Sequence, residues 1–115
     1  MPLSVDTRLV RAVANPIRLR IVTLLAAEPL DAARLMAETG ASPTNLSNHL
    51  KLLREAGLVE PEARARGRAR GPGRSTRYRL RPETIGTLAG QFQRLAESAR
   101  GQATAHEIGY HKPSA

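Results

Sequence analysis

The residues whose types and spacing could do chemistry are concentrated in residues 42–81, SPTNLSNHLKLLREAGLVEPEARARGRARGPGRSTRYRLR. At 3.6 residues per turn, the first part of this stretch places leucines on one side of a helix and short polar or basic side chains on the other. Asparagine can bond adenine in a bidentate way, and the other polar groups can donate to phosphates or base edges. We predict that this helix contacts nucleic acid. The predicted contact residues are Ser42, Thr44, Asn45, Ser47, Asn48, His49 and Lys51.

His49 differs from the other predicted contact residues because it lies between the two faces of the helical wheel. That position favours a hydrogen-bonded packing residue or a phosphate contact over a metal ligand. For the polar face as a whole, the alternative is a merely solvated helix surface. The arginines that follow in the sequence favour DNA contact over that alternative.

Eight arginines follow the helix between Arg64 and Arg81, with no acidic residue among them. Arginine suits phosphates and narrow minor grooves because its planar guanidinium is always charged and makes forked contacts. Alternation around Tyr78 and Leu80 predicts a hairpin whose arms are residues 58–66 and 74–81 and whose tip is rich in glycine. In this interpretation the hairpin supplies affinity and the helix supplies sequence choice. The predicted contact arginines are Arg64, Arg66, Arg68, Arg70, Arg74, Arg77 and Arg79.

A third group of residues, His106, Glu107 and His111, could bind a metal ion near the C-terminus. The chain has no cysteine, which excludes disulfides, thiolate metal sites and cysteine nucleophiles. Histidine and glutamate without thiolate would suit nickel, cobalt or zinc. The alternative is that these are solvated tail residues, and the five-residue separation of the two histidines is not a standard helical spacing.

The elements that must position these groups are short helices. Asp6 or Ser4 can cap a first helix, and Pro16 fits the first turn of a second, buried one. The inward stripe of this second helix is Ile17, Ile21, Leu24 and Leu25, while Arg18 and Arg20 point elsewhere.

Asp31 can cap a third helix that stops at Gly40. Ser42 can cap the next helix, which carries the predicted contact residues and ends at Gly57. Only Ala41 separates Gly40 from Ser42. So tight a connection between two short helices is typical of a helix-turn-helix, in which the second helix lies in the major groove.

Composition supports a basic protein of one domain. With 115 residues, the chain is long enough for one domain, and we assign it to residues 1–109 with a flexible tail at 110–115. The net charge of +8 is local, since residues 58–81 carry eight arginines against two glutamates. No apolar run could span a membrane and no signal peptide is recognisable, so we expect a soluble cytoplasmic protein.

The last predicted helix carries an apolar stripe that is too long for so small a core to bury. Its members recur at spacings of three and four, and the core has one Phe and no Trp to contribute. We predict a homodimer whose seam combines this stripe with the first helix. The predicted seam residues are Leu9, Val13, Ile85, Leu88, Phe92 and Leu95.

Three runs together resemble the ArsR/SmtB family of bacterial winged-helix repressors: NPIRLRIVTLL, SPTNLSNHLKLLREAGLV and RSTRYRL. The resemblance covers roughly residues 8–98. It implies a mainly helical winged helix-turn-helix of order α-α-α-α-β-β-α that dimerises through its first and last helices. It further implies a cytoplasmic protein that binds an operator and is released when an inducer binds, in many members a metal ion.

The sequence departs from two metal-site patterns of that family. Where thiolate sensors carry Cys-x-Cys at the start of the third helix, this chain has Asp31 and Ala33. The histidine pairs that other members carry along the last helix are missing, since residues 83–100 contain no histidine.

No catalytic constellation is recognisable, so we expect no enzyme activity. We predict a homodimeric transcriptional repressor that binds palindromic double-stranded DNA and responds to a metal ion or another signal. One alternative is an RNA- or ribosome-binding protein, since arginine-rich segments fold on RNA. Another is a DNA-binding subunit whose sensing is supplied by a protein co-regulator.

Overall fold

The computed structural model describes residues 3–62 and 76–111, with side chains described as far as residue 102. Five helices and three short strands make up this part of the chain. In order they are α1 (Thr7–Val13), α2 (Pro16–Ala27), β1 (Leu30–Asp31), α3 (Ala32–Thr39), α4 (Pro43–Glu55), β2 (Val59–Pro61), β3 (Arg77–Leu80) and α5 (Pro82–His111).

The first four helices begin at residues that can cap them. The side chain of Asp6 accepts from the first turn of α1, and Asn15 does the same for α2, which has Pro16 at its first position. Asp31 accepts from the amide of the third helical residue in α3. Ser42 caps α4 in the same way. The predicted starts are confirmed because each cap satisfies backbone amides that have no partner within the helix.

The sheet contains one strand more than predicted. β1 pairs with β3, and β3 pairs with β2, so the antiparallel order is β1-β3-β2. Leu30 lies opposite Tyr78, on the β3 edge remote from β2. The order α-α-α-α-β-β-α omitted β1, because a strand of two residues is too short to show alternation in the sequence.

The described part of the hairpin covers the inner ends of its predicted arms. β2 and β3 pair from Val59 opposite Leu80 to Pro61 opposite Tyr78, and the amide of Glu62 donates to the Arg77 carbonyl at 2.7 Å. Residues 63–75, which include the outer ends of both predicted arms and the whole tip, lie outside the described residues.

The core lies between the helices and one face of this sheet. Ile21, Leu35, Leu53 and Leu58 are fully buried, and the inward stripe predicted for α2 is confirmed by Ile21 and Leu25. Arg18 lies outside that stripe, as expected, but it is half-buried and bonded to α1. The result is a winged helix-turn-helix, mainly helical, as predicted.

α5 extends well beyond this core. It has 30 residues, so it is about 45 Å long at 1.5 Å per residue. Within the described residues, Leu88 is its one fully packed core residue, while Phe92 and Leu95 are exposed by 48% and 36%. No helix in the described part of the chain has the length and apolar character needed to cross a membrane.

Candidate nucleic-acid interface

α3 and α4 are joined by a turn of three residues. Gly40 ends α3 in the left-handed conformation with φ 78°, and its amide donates to the Met36 carbonyl at 2.8 Å. A side chain is disfavoured at this φ, which explains a glycine here. Ser42 then accepts from the amide of Asn45 at 3.2 Å, and Pro43 begins α4. This tight turn fixes the direction in which α4, hereafter the reading helix, leaves the core.

The reading helix has one face in the core and one in solvent. Leu46, Leu50 and Leu53 are exposed by only 2%, 5% and 0%. These three leucines attach the helix to the core and leave the opposite face free to contact a partner. All five of the side chains on that face are exposed: Thr44, Asn45, Ser47, Asn48 and Lys51.

Arg54 belongs to the same surface, although the sequence analysis did not include it. Together with Ser47, Lys51 and Tyr78 it lines an open cleft of about 340 Å³ between α3, the reading helix and β3. Ser47, Lys51 and Arg54 are separated by four and three residues, so they stack along one side of the helix. That spacing was readable from the sequence and would have identified Arg54.

His49 is a packing residue of the reading helix. It is half-buried, and Arg18 of α2 donates from Nη1 to its Nδ1 at 3.2 Å. Desolvation by burial, and then the charge of Arg18, lower the pKa of His49 below its ordinary value of 6.5. The neutral imidazole is therefore the form that this environment favours.

The hairpin, hereafter the wing, pairs its arginines with glutamates. Glu60 lies opposite Arg79 in the strand register and forms an ion pair with it, and Arg81 lies 3.7 Å from the same carboxylate. Arg77 donates from Nε to Glu62 at 2.6 Å. These contacts place two acidic groups directly beside arginines that we predicted to contact DNA.

The pair of Arg77 and Glu62 shifts both of its members toward the charged form. A hydrogen bond from Arg77 lowers the pKa of Glu62, with a smaller contribution from the Arg77 charge and a small opposing one from desolvation. The same bond raises the pKa of Arg77. Because the pair is open to solvent, water and salt weaken its net contribution to stability.

This chain is similar both to a family of bacterial regulators and to individual members of it. The family model described as bacterial regulatory protein, arsR family, matches residues 15–61, from the cap of α2 through β2. The HTH-type transcriptional regulator CmtR of Mycobacterium tuberculosis is 36% identical over 89 residues, which cover 77% of this chain and 69% of CmtR. This chain belongs to the arsR family.

Solved structures of similar proteins share the fold. The crystal structure of a possible transcriptional regulator for arsenical resistance is 34% identical, with a TM-score of 0.60 over 82% of this chain and 92% of that one. The NMR structure of CmtR, a cadmium sensor, is 37% identical, with a TM-score of 0.51 over 65% and 70%. A homodimeric winged helix-turn-helix domain from Mycobacterium bovis is 29% identical, with a TM-score of 0.57 over 84% and 82%. The arsR-family chain is thus a DNA-binding transcriptional regulator.

The predicted dimer residues of this arsR-family chain divide into two groups. Leu9 and Leu88 are exposed by only 5% and 6% within the single protomer, so they leave little surface for a partner. Phe92 and Leu95 are exposed. Ile85 and Val13 are half-buried and pack against the core. Of the predicted seam residues, the two that are most exposed in the protomer, Phe92 and Leu95, therefore lie along the middle of α5.

The remaining predicted site residues lie outside what the structure describes. The five arginines in residues 63–75 are not described, and α5 continues to His111 without described side chains after residue 102. Within the described residues, no group of three metal-ligating side chains comes together. The predicted contacts of these residues, which are Arg64, Arg66, Arg68, Arg70, Arg74, His106, Glu107 and His111, remain predictions.

Proposed function

We propose that this arsR-family chain is a homodimeric repressor that binds a palindromic operator through its reading helix and releases it when an inducer binds. The observation that carries the proposal is the division of α4 into a buried leucine face and a wholly exposed polar face. A helix that is anchored on one side and presents Asn45, Asn48 and Lys51 on the other has the form that a major groove admits.

The reading helix would supply sequence choice. Asn45 and Asn48 can each bond an adenine edge in a bidentate way, whereas Lys51 and Arg54 can donate to guanine or to phosphates. Ser42 is used as the helix cap, so its role on DNA would be through the backbone amides at the helix start.

The wing would supply affinity that does not depend on sequence. Each phosphate neutralised by an arginine adds about 0.9 to the slope of log affinity against log salt for B-DNA. On binding, DNA must compete with Glu60 and Glu62 for Arg79 and Arg77. The five further arginines within residues 63–75 would add to this contact.

Dimerisation through α5, with α1 beside it, would set the distance between two reading helices. Phe92 and Leu95 offer the exposed apolar surface that such a seam needs. A symmetric dimer of this fold presents its two reading helices to half-sites about one helical turn apart. A palindromic operator follows from the two-fold symmetry.

A binding titration tests this proposal. The full chain is titrated onto a palindromic fragment from the promoter of its own gene, a random duplex of equal length and an RNA hairpin, each at two salt concentrations. We expect the chain to bind the operator at least about a thousandfold more tightly than the random duplex. Equal affinity for the two duplexes would contradict sequence-specific repression, and tighter binding of the RNA would support the alternative of an RNA-binding protein.

A metal sensor in this chain would work without thiolate ligands. Its relative CmtR is a cadmium sensor, but this chain has no cysteine. We propose nickel, cobalt or zinc as the ion and His106, Glu107 and His111 as ligands, which suits imidazole and carboxylate donors.

Metal titration of wild type and of the double variant His106→Ala/His111→Ala tests that site. We expect the variant to lose affinity for the ion and to keep its operator when the metal is added. Equal metal affinities would remove these residues from the sensor. A metal-insensitive wild type would favour another inducer or a protein co-regulator.

A further inference from the structure

Arg18 lies where α1, α2 and the reading helix meet, and all three nitrogens of its guanidinium are engaged. Nε donates to the Ala12 carbonyl at 2.6 Å and Nη2 to the Arg11 carbonyl at 3.3 Å. Nη1 donates to Nδ1 of His49 at 3.2 Å. One side chain of α2 therefore connects the end of α1 to the middle of the reading helix.

The bond between Arg18 and His49 also determines which ring nitrogen carries the proton. A guanidinium has only donors, so Nδ1 of His49 must accept and its proton must lie on Nε2. The bond exists only while the imidazole is neutral. Protonation would place an N–H group against the Arg18 N–H and two positive charges side by side.

Two further bonds make α1 the connection between the reading helix and α5. Arg8 donates from Nη2 to the carbonyl of Glu55 at the end of the reading helix, at 3.1 Å. The amide of Asp6 donates to Oε1 of Gln91 in α5 at 2.8 Å. The last carbonyls of a helix lack partners within it, so Arg8 and Arg18 each close a helix end while tying it to a neighbour.

We propose that the Arg18–His49 pair positions the reading helix against the α1–α5 layer, so that a neutral His49 is required for tight operator binding. This proposal rests on the proposed function, in which α5 and α1 together form the dimer seam. Losing the bond would loosen one reading helix relative to the other. The affinity for an operator, which requires both reading helices to fit their half-sites at once, would fall. The affinity for random DNA, which depends on phosphate contacts, would not.

The charge of Arg18 acts in the same direction. Arg8, Arg11 and Arg18 line the adjoining cleft from α1 and α2, with Glu55 from the reading helix as the one acidic group lining it. Burial and Arg18 together lower the pKa of His49. The unfolded chain therefore takes up a proton before the folded one does. The contribution of His49 to stability is therefore fully present above its ordinary pKa of 6.5 and is lost as the pH drops through the folded pKa.

The sign of the pH response separates this role from direct DNA contact. If His49 bonded a phosphate, protonation would add a positive charge and operator affinity would rise as the pH falls. If His49 is a positioning residue, operator affinity falls over the same range. Since the chain has three histidines, the comparison must be made against a variant of His49 alone.

Operator and random-duplex affinities of the full chain, measured by fluorescence anisotropy between about pH 8 and pH 5.5, test the proposal around the histidine range. The variants are His49→Asn, whose amide can still accept near the position of Nδ1 but does not titrate, and Arg18→Lys, which keeps the charge but loses the fork. Arg20→Lys is the matched control, because Arg20 lies on the same helix and contacts Glu38 instead. Thermal unfolding is followed for each variant.

We expect the wild type and Arg20→Lys to lose operator affinity by about tenfold or more as the pH falls, in line with losing a hydrogen bond to a charged group. His49→Asn should show a smaller pH response. Arg18→Lys should tolerate operators whose half-sites are moved by one base pair better than the wild type does, which a purely structural role would not produce.

Three results would overturn the inference. They are an affinity that rises with falling pH, an unchanged pH response in His49→Asn, and an unchanged spacing preference in a folded Arg18→Lys. If Arg18→Lys does not fold, His49→Asn decides alone. A wild type that never prefers the operator at about pH 8 would instead contradict the proposed function, so the two failures are distinguishable.

Discussion

The reading helix and the wing both carry polar and basic side chains that we propose contact DNA, but the fold treats them differently. On the reading helix, Asn45, Asn48 and Lys51 are exposed and form no ion pair or side-chain hydrogen bond within the described residues. On the wing, Arg77 and Arg79 are bound to glutamates. The helix can contact DNA without giving up an internal contact, whereas the wing must exchange one.

The difference follows from the geometry of the two elements. In the antiparallel pair, the residue opposite Arg79 is Glu60, and directly opposed side chains lie close enough to interact. Residues along the outer face of a helix meet only those three or four positions away, and no acidic residue precedes Glu55 there. The wing therefore has more arginines than the reading helix, but glutamates partly neutralise Arg77 and Arg79.

The largest expected effect comes from removing the attachment of the reading helix. Leu53 is fully buried, so Leu53→Ala should lower the free energy of unfolding by about 2–5 kcal/mol through lost burial and the cavity left behind. Denaturant unfolding measures this change. Thr44→Ala on the outer face is the control and should have little effect on stability. A small loss for Leu53→Ala would mean that this face is not anchored.

The next effect concerns sequence choice by the reading helix. Asn48→Ala should weaken operator binding by about 1–3 kcal/mol, the value of one bidentate base contact, and leave binding to random duplex nearly unchanged. Competition titrations with both duplexes measure the ratio. Gln93→Ala, an exposed change on α5, serves as the control. An equal loss on both duplexes would assign Asn48 to a phosphate.

A smaller effect is expected when the wing is relieved of an acidic group. Glu60→Gln removes the charge that holds Arg79 and Arg81, and exposed ion pairs are worth at most about 1 kcal/mol. Affinity should therefore rise by up to about fivefold on any duplex, with a steeper salt dependence. Glu97→Gln on α5 controls for the change in net charge. An unchanged salt slope would mean that these arginines do not reach phosphates.

The smallest effect is a titration within the wing. Arg77→Gln should raise the pKa of Glu62 toward its ordinary value of 4.5, because the lowering comes mainly from the Arg77 hydrogen bond. In the wild type, the pair stabilises the fold above the unfolded pKa and loses this contribution as the pH falls through the folded pKa. NMR titration of the Glu62 carboxyl measures the shift. An unchanged pKa in the variant would show that the pair does not persist in solution.

Local features of the fold were predicted well from the sequence. Asp6, Asp31 and Ser42 cap the helices that they were expected to cap, and Gly40 and Gly57 have positive φ. Such features depend on contacts within a few residues along the chain. The two faces of the reading helix were predictable for the same reason, since helical periodicity separates its leucines from its polar residues.

Most of what the sequence did not show involves residues far apart in the chain, and Arg54, whose spacing is local, is an exception. Leu9 and Leu88 had the spacing of a dimer seam, but packing places them in the protomer's own core. Arg18 was expected only to point away from the inward stripe of α2, and its bond to His49, thirty-one positions away, was not predicted. Hydrophobic periodicity shows which residues avoid water but not which partner covers them.

By itself, the sequence determined the helix starts, the helix-turn-helix, the basic wing and the absence of any thiolate sensor. Each of these depends on residue type or on short spacing. Only the tertiary structure decided that β1 joins the sheet, that Glu60 and Glu62 face the wing arginines, and that Arg18 links α1 to the reading helix. These contacts depend on strand register and helix packing, which bring together side chains that no local pattern relates.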